Sequence, residues 1–336
     1  MSYYNRTTIK LIDNAPAKNL MPPHVVPAYD VGIEEVTEKS LPPQQSEDIG
    51  YTKIREFSFE VASDNEILSG DVDLHFKVTS SATAYLSGNA KTFFDLTSVK
   101  KKYGAMIEEL PLSGIFSQIN DTISNGAESC LRKVAMGQDD CLKAIAGRKA
   151  WASGAYYKIP VDLSILKQNQ WIHLPKTGPL IFTFRCADDK TAVYAASGSP
   201  VLTFTEVKLV VRTKKMTPGW VEKEILNSSP IKYNFERVQY YTGKWDSSYN
   251  QIELNKDCRG ANTLLVRFRK ASQFNAYVNN NTNTSIHTDS TGTNVFTKIS
   301  LKHNGKELRA DPLIVNNEYM LEELFMDYEM IMIMDH

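Results

Sequence analysis

Val72-Asp73-Leu74-His75-Phe76-Lys77-Val78 alternates apolar and polar side chains without interruption. Successive side chains of an extended strand point to opposite faces. Val72, Leu74, Phe76 and Val78 therefore share one face, and Asp73, His75 and Lys77 the other. The same rhythm returns at Phe57, Phe59 and Val61, at Leu180, Phe182, Phe184 and Cys186, and at Leu202 and Phe204. After Phe204 the phase slips before Val207, Leu209 and Val211, which is the sequence mark of a β-bulge or sharp bend. These segments predict a mainly β protein, an antiparallel β-sandwich with a few short helices in its connections.

The chain of 336 residues is 42% hydrophobic and 23% charged, enough for a substantial core in one large or two medium β domains. Its formal net charge of −1 gives no overall electrostatic case for a nucleic-acid partner. No apolar run approaches the roughly 18 residues that span a bilayer. The opening residues Met1 to Arg6 lack a charged segment followed by an apolar stretch, so secretion is not expected. Cys130, Cys141, Cys186 and Cys258 stand too far apart for a close set of zinc ligands and read as free thiols in a reducing compartment. Sequons at Asn5, Asn120, Asn227, Asn280 and Asn283 then reflect an Asn/Thr-rich composition rather than glycosylation.

Residues 1–50 read as an extended N-terminal arm. Six of the 14 prolines fall there (Pro16, Pro22, Pro23, Pro27, Pro42, Pro43), and proline removes donors from helices and central strands. Its acids, Asp13, Asp30, Glu34, Glu35, Glu38, Glu47 and Asp48, outnumber Arg6, Lys10, Lys18 and Lys39, so counterion release does not drive its contacts. The arm is either a solvated tail or a tether to a neighbouring subunit.

Residues 79–110 carry little order to read. Leu110–Ile123 fits either a helical face (Leu112, Phe116, Ile119, Ile123) or a strand, with Asn125-Gly126 offering a turn. Residues 127–151 favour helix. Ile159-Pro160 reads as the start of an edge or entry segment, and a turn is expected at Gly178-Pro179. A second β set follows at Ile231, Tyr233 and Phe235, at Leu264, Val266 and Phe268, and from Phe296 to Leu301, with a hairpin turn at Asn304-Gly305. Residues 279–285 read as an exposed loop and Glu318–Met334 as a short helix.

No constellation of catalytic residues stands out. His24, His75, His173, His287, His303 and His336 form no HxH or HxxxH pair, and there is no P-loop or dinucleotide-binding glycine turn. No catalytic, cofactor-binding or metal-ligating residue is assigned, and no cofactor is expected. Asp139-Asp140 and Asp188-Asp189 could meet calcium but read first as solvated loop acids. The basic faces Lys208/Arg212 and Arg267/Arg269, the latter flanking Phe268, suit contact with nucleic acid or an acidic neighbour such as another copy's arm, or a plain solvated face.

The order of these segments resembles the double jelly-roll major capsid proteins of Polinton/Maverick elements, adintoviruses and virophages. Glu56-Phe57-Ser58-Phe59 and Asp71 to Val78 resemble the phrases that open the family's first barrel. Ser113-Gly114-Ile115-Phe116-Ser117-Gln118-Ile119 with Asn125-Gly126 resembles the next phrase, and Val207 to Pro218 the strand that closes that barrel. Tyr233-Asn234-Phe235-Glu236-Arg237-Val238 is similar to the start of the second barrel, and Ile299 to Lys306 to a later strand and turn. The chain departs from the family by stopping at His336, soon after the Asn-Gly hairpin, and by lacking a clear tyrosine-proline phrase between Asn125 and Trp151.

The resemblance implies jelly-roll β-sandwiches: a first at 51–225 with a helical insertion near 127–151, and a second, shorter one at 226–336 with a C-terminal helix. It implies a non-enzymatic capsid protein that self-assembles into trimeric capsomers and meets other capsid proteins, the arm touching neighbouring subunits. Its place would be the virion capsid, after synthesis in a host cytoplasm or nucleus. The rival reading is a carbohydrate- or receptor-binding β-sandwich that presents Trp171, Trp220, Tyr240, Tyr241 or Trp245 as platforms.

Overall fold

The computed structural model describes residues 33–45, 49–50, 54–62, 66–82, 85–86, 90–114, 116, 155–167, 171–187, 193–194 and 199–219, with 233, 238–239, 298–300, 302–303, 306–307 and 313–314. Eight strands carry the main body: β1 (Ile33–Leu41), β3 (Glu56–Val61), β4 (Glu66–Ser80), β6 (Phe94–Lys101), β7 (Met106–Pro111), β8 (Ala155–Pro160), β10 (Leu180–Cys186) and β12 (Leu202–Met216). Shorter pieces are β2 (Ile49–Gly50), β5 (Tyr85–Leu86), β9 (Ile172–His173) and β11 (Val193–Tyr194).

The first sheet runs β1-β12-β4-β8, with β2 on β12 and β9 on β4; the second runs β3-β10-β6-β7. All pairs within these two sheets are antiparallel. Counting only the eight main strands, the first sheet holds the first, eighth, third and sixth. The second holds the second, seventh, fourth and fifth. Two sheets interleaved in that order are the two Greek keys of an eight-stranded jelly roll.

The inner faces are those the alternation marks. Val72, Leu74, Phe76 and Val78 are buried, as are Phe57, Phe59 and Val61, and Leu180, Phe182, Phe184 and Cys186. Phe76 sits where the two sheets meet, its ring centroid 5.3 Å from Phe94, 5.6 Å from Phe204, 5.7 Å from Tyr157 and 5.9 Å from Phe93. The Phe94 contact is edge-on at 90°, the arrangement that ring quadrupoles favour. Burying each such side chain contributes roughly 1.5–3 kcal/mol.

The slip after Phe204 is a bulge. Register against β4 shifts between Thr205 and Lys208, and Glu206 takes a left-handed φ of 53°. Gly178 (φ 83°) turns the chain between the helical turn Leu174–Thr177 and β10, where a turn is expected. Gly70 is required by crowding, since a Cβ there would lie 2.1 Å from the Leu166 carbonyl oxygen. Ile159-Pro160 ends rather than begins its strand, β8, which lies at the sheet edge where proline is tolerated.

Residues 33–41 correct the expectation of an arm reaching to residue 50. They form β1 and pair with β12 from Ile33↔Met216 to Leu41↔Leu209, and Ile49-Gly50 pairs with Phe204 and Thr203. Glutamates are tolerated there because β1 lies at the sheet edge and needs only Thr37, Lys39 and Leu41 partly covered. Residues 94–101 and 106–111 add strands in a stretch that carried little order in sequence. β7 ends at Pro111 and residues 113, 114 and 116 turn helically; residues 115 and 117–123 of the ambiguous segment lie outside the described residues.

Near the end of the chain, β13 (Lys298–Ile299) pairs with β16 (Leu313–Ile314), and β14 (Lys302–His303) with β15 (Lys306–Glu307). The β14–β15 ladder flanks the expected Asn304-Gly305 hairpin. The expected helices at 127–151 and 318–334, the loop at 279–285 and the strand at 264–268 lie outside the described residues.

Candidate functional site

The outer face of the β1-β12-β4-β8 sheet gathers the polar halves of the alternating strands. Lys208, His75 and Lys158 stand directly opposite one another on β12, β4 and β8. Lys158 reaches Asp73 at 3.2 Å, and Lys77 meets Glu206 at the bulge at 3.5 Å. Arg212 bridges two acids, Glu38 on β1 and Asp71 on β4, each at 3.3 Å. Burial raises the Asp71 carboxyl above its ordinary range, and Arg212 only partly opposes it.

His75 Nδ1 lies 3.1 Å from the Tyr156 hydroxyl, with the rings edge to face at 88°. Its Nε2 is shut off from solvent and has no partner among the described residues. Burial, and then the nearby Lys158 charge, lowers its pKa, so the imidazole is neutral at pH 7. Tyr156, 49% exposed, also borders a shallow cavity of about 300 Å³ lined by Ser40, Pro42, Glu206, Val207 and Lys208.

Of the expected basic face at Lys208/Arg212, Arg212 is answered by the chain's own acids. Arg212 is engaged by Glu38, a residue counted with the acidic arm but built into the same sheet. Lys208 has no ion pair among the described residues. Arg267, Phe268 and Arg269 lie outside them.

Trp171 is no glycan platform. It is 8% exposed, and Lys214 Nζ sits over its ring, 4.2 Å from the centroid. Trp220, Tyr240, Tyr241 and Trp245 lie outside the described residues, as do His24, His287, His336 and both Asp-Asp pairs. His173 is buried; its Nδ1 accepts from Lys176 N at 3.3 Å and its backbone N–H donates to the Tyr233 hydroxyl at 2.9 Å. Tyr233, from the phrase resembling the start of a second barrel, thus packs on the first, and burial pushes its hydroxyl pKa up. Burial likewise pushes the Cys186 thiol up to about 12, too high for a nucleophile. Among the described residues no three His, Cys, Asp or Glu side chains group as metal ligands.

One polar cluster had no sequence signal. Lys91, buried in the 3-10 turn Ala90–Phe93, bonds Asp162, which Lys167 also meets at 3.2 Å. Burial alone would raise the Asp162 carboxyl, but Lys91 and then Lys167 outweigh it and hold the group below its ordinary range. Beside it, Glu108 on β7 accepts from Ser164 N at 2.7 Å and Ile165 N at 2.9 Å, capping the turn Ser164–Leu166. These groups point at each other and brace one end of the barrel.

No family model matches this sequence, and no curated protein matches it. Solved structures with a similar fold include the PBCV-1 virus capsid (TM-score 0.37, 8% identity) and PBCV-1 VP54 fitted into a reconstruction of the virophage Sputnik (0.36, 8%). A third is the Sputnik virophage by cryo-EM (0.37, 10%). Each match covers 56% of this chain and 44%, 44% and 49% of the respective solved chains. The chain thus spans less than half of each of those structures. At such similarity the jelly-roll assignment rests on the strand order above.

Proposed function

We propose that this chain is a structural protein of a viral or virus-derived capsid, built to pack against copies of itself rather than to catalyse. The observation that carries the reading is where the capsid-like phrases fall. Glu56–Phe59 lies on β3, Asp71–Val78 on β4, Ser113–Phe116 at the turn after β7, and Val207–Met216 on β12. Short phrases matched in order thus coincide with successive parts of one jelly roll. Gly114 adds a physical reason for its phrase: a Cβ there would come within 2.7 Å of the Thr92 backbone.

In this reading the first jelly roll begins at β1 and runs to about residue 225, and residues 226–336 belong to a second, shorter one. Capsomers are trimers of the Polinton, adintovirus and virophage type, located in the virion, with other capsid proteins and the residues before β1 among the contacts. Stiff sandwiches serve this role because broad side faces pack into closed symmetric rings. Mass photometry and negative-stain electron microscopy of the full chain test it. Particles of three or more 37.9 kDa subunits are expected, and a strict monomer at high micromolar concentration overturns the proposal.

A further inference from the structure

The four outer strands of the two sheets are not equally protected. β8 and β7 are short and end in Pro160 and Pro111. β3 is covered by its own chain: Gln44 N donates to Ser58 O at 2.8 Å, and Ser58 N donates to Gln45 Oε1 at 2.9 Å. β1 has neither device. Nine residues long and without proline, it pairs among the described residues with β12 alone, and none of them bonds its other edge.

Charged side chains often guard such an edge, but two of those on β1 are already neutralised within the sheet. Lys39 is held by Glu66 at 2.5 Å and Glu38 by Arg212. Val36 stands 60% exposed between them and Glu35. A row of free backbone donors and acceptors is a template for an added strand.

We infer that the open edge of β1 takes residues 6–12 of a second copy as an added strand. That segment, Arg6-Thr7-Thr8-Ile9-Lys10-Leu11-Ile12, lies outside the described residues and is rich in β-branched side chains. It carries two positive charges and no acid, whereas β1 carries Glu34, Glu35 and Glu38 against Lys39. Residues 13–32, which separate the two, contain Pro16, Pro22, Pro23 and Pro27. A proline-rich spacer is stiff and extends roughly 3.1 Å per residue, which favours reaching a neighbour over folding back. The inference rests on the assembly reading and adds to it the seat of the tether.

The test is hydrogen exchange on assembled full-length protein: wild type, Ile9→Pro, Lys10→Glu, and Lys10→Glu combined with Glu35→Lys. Amides of 33–41 are expected to exchange at least roughly tenfold faster in both single variants, with protection restored in the charge-swapped double variant. Mixing an Ile9→Cys chain with a Val36→Cys chain should yield a disulfide-linked heterodimer that peptide mapping assigns to positions 9 and 36. Assembly that persists with unchanged β1 exchange in Ile9→Pro overturns this inference and leaves the assembly reading standing. A mixture that assembles without forming the 9–36 heterodimer overturns it as well, and a strict monomer overturns both.

Discussion

Two charged networks in this barrel use the same chemistry with opposite consequences. At the barrel end, Lys91, Asp162 and Lys167 converge in a largely enclosed place, with the Asp162 side chain 20% exposed and Lys91 8%. On the outer face of the first sheet, Arg212 with Glu38, and Lys77 with Glu206, stand well exposed. A buried charge that loses its partner keeps the cost of leaving water, whereas an exposed one is simply hydrated again. The enclosed cluster therefore locks the fold, and the exposed ladder is left free to choose partners.

Asp162→Asn should break the comparison hardest. Removing the carboxylate from buried Lys91 is expected to cost about 3 kcal/mol, read as a lower urea midpoint at unchanged slope. The pH dependence carries the sign. A carboxyl held low in the fold stabilises it fully above the unfolded range, and that share is lost as pH falls through the folded value. The gap between wild type and variant should therefore be constant from neutral pH down to about 5 and shrink below about 4.

Glu108→Ala comes next. It leaves the Ser164 and Ile165 amides without their acceptor, at about 1–3 kcal/mol in the same melts. Amide exchange at 164 and 165 should rise with it; unchanged exchange would show that the carboxylate does not cap the turn.

Smallest is Tyr156→Phe on the outer face, expected within about 1 kcal/mol of wild type. Its readout is His75, whose NMR titration midpoint should stand below 6.5 in the wild-type fold because burial and Lys158 disfavour the imidazolium. With unfolded chains taking up the proton first, stability should fall as pH drops below about 6.5, and His75→Gln should remove that slope.

Much of the barrel was legible because burial on one face imposes a period of two. Phe57 to Val61, Val72 to Val78 and Leu180 to Cys186 are read correctly for that reason, and the bulge at Glu206 shows as a lost phase. β1 was hidden by its position. An edge strand can carry Glu35, Glu38 and Lys39, and prolines at 27, 42 and 43 made the stretch look like an arm. β6 escaped notice because Thr97 and Ser98 are buried beside Val99, which blurs the contrast between faces. The brace at the barrel end could not be read at all: Lys91 and Asp162 lie 71 residues apart, and only the fold brings them together.

The last main strand to leave the ribosome, β12, is also the one seated between β1 and β4. Among the described residues β1 has no other strand partner, so from the moment Leu41 emerges it waits for Met216, 175 residues later. At the usual pace of synthesis, about 5–20 residues per second, that wait lasts roughly 10–35 s. A nascent chain of this design spends that time with an unpaired strand in hand, and crowding on polysomes is where mispairing between copies would begin.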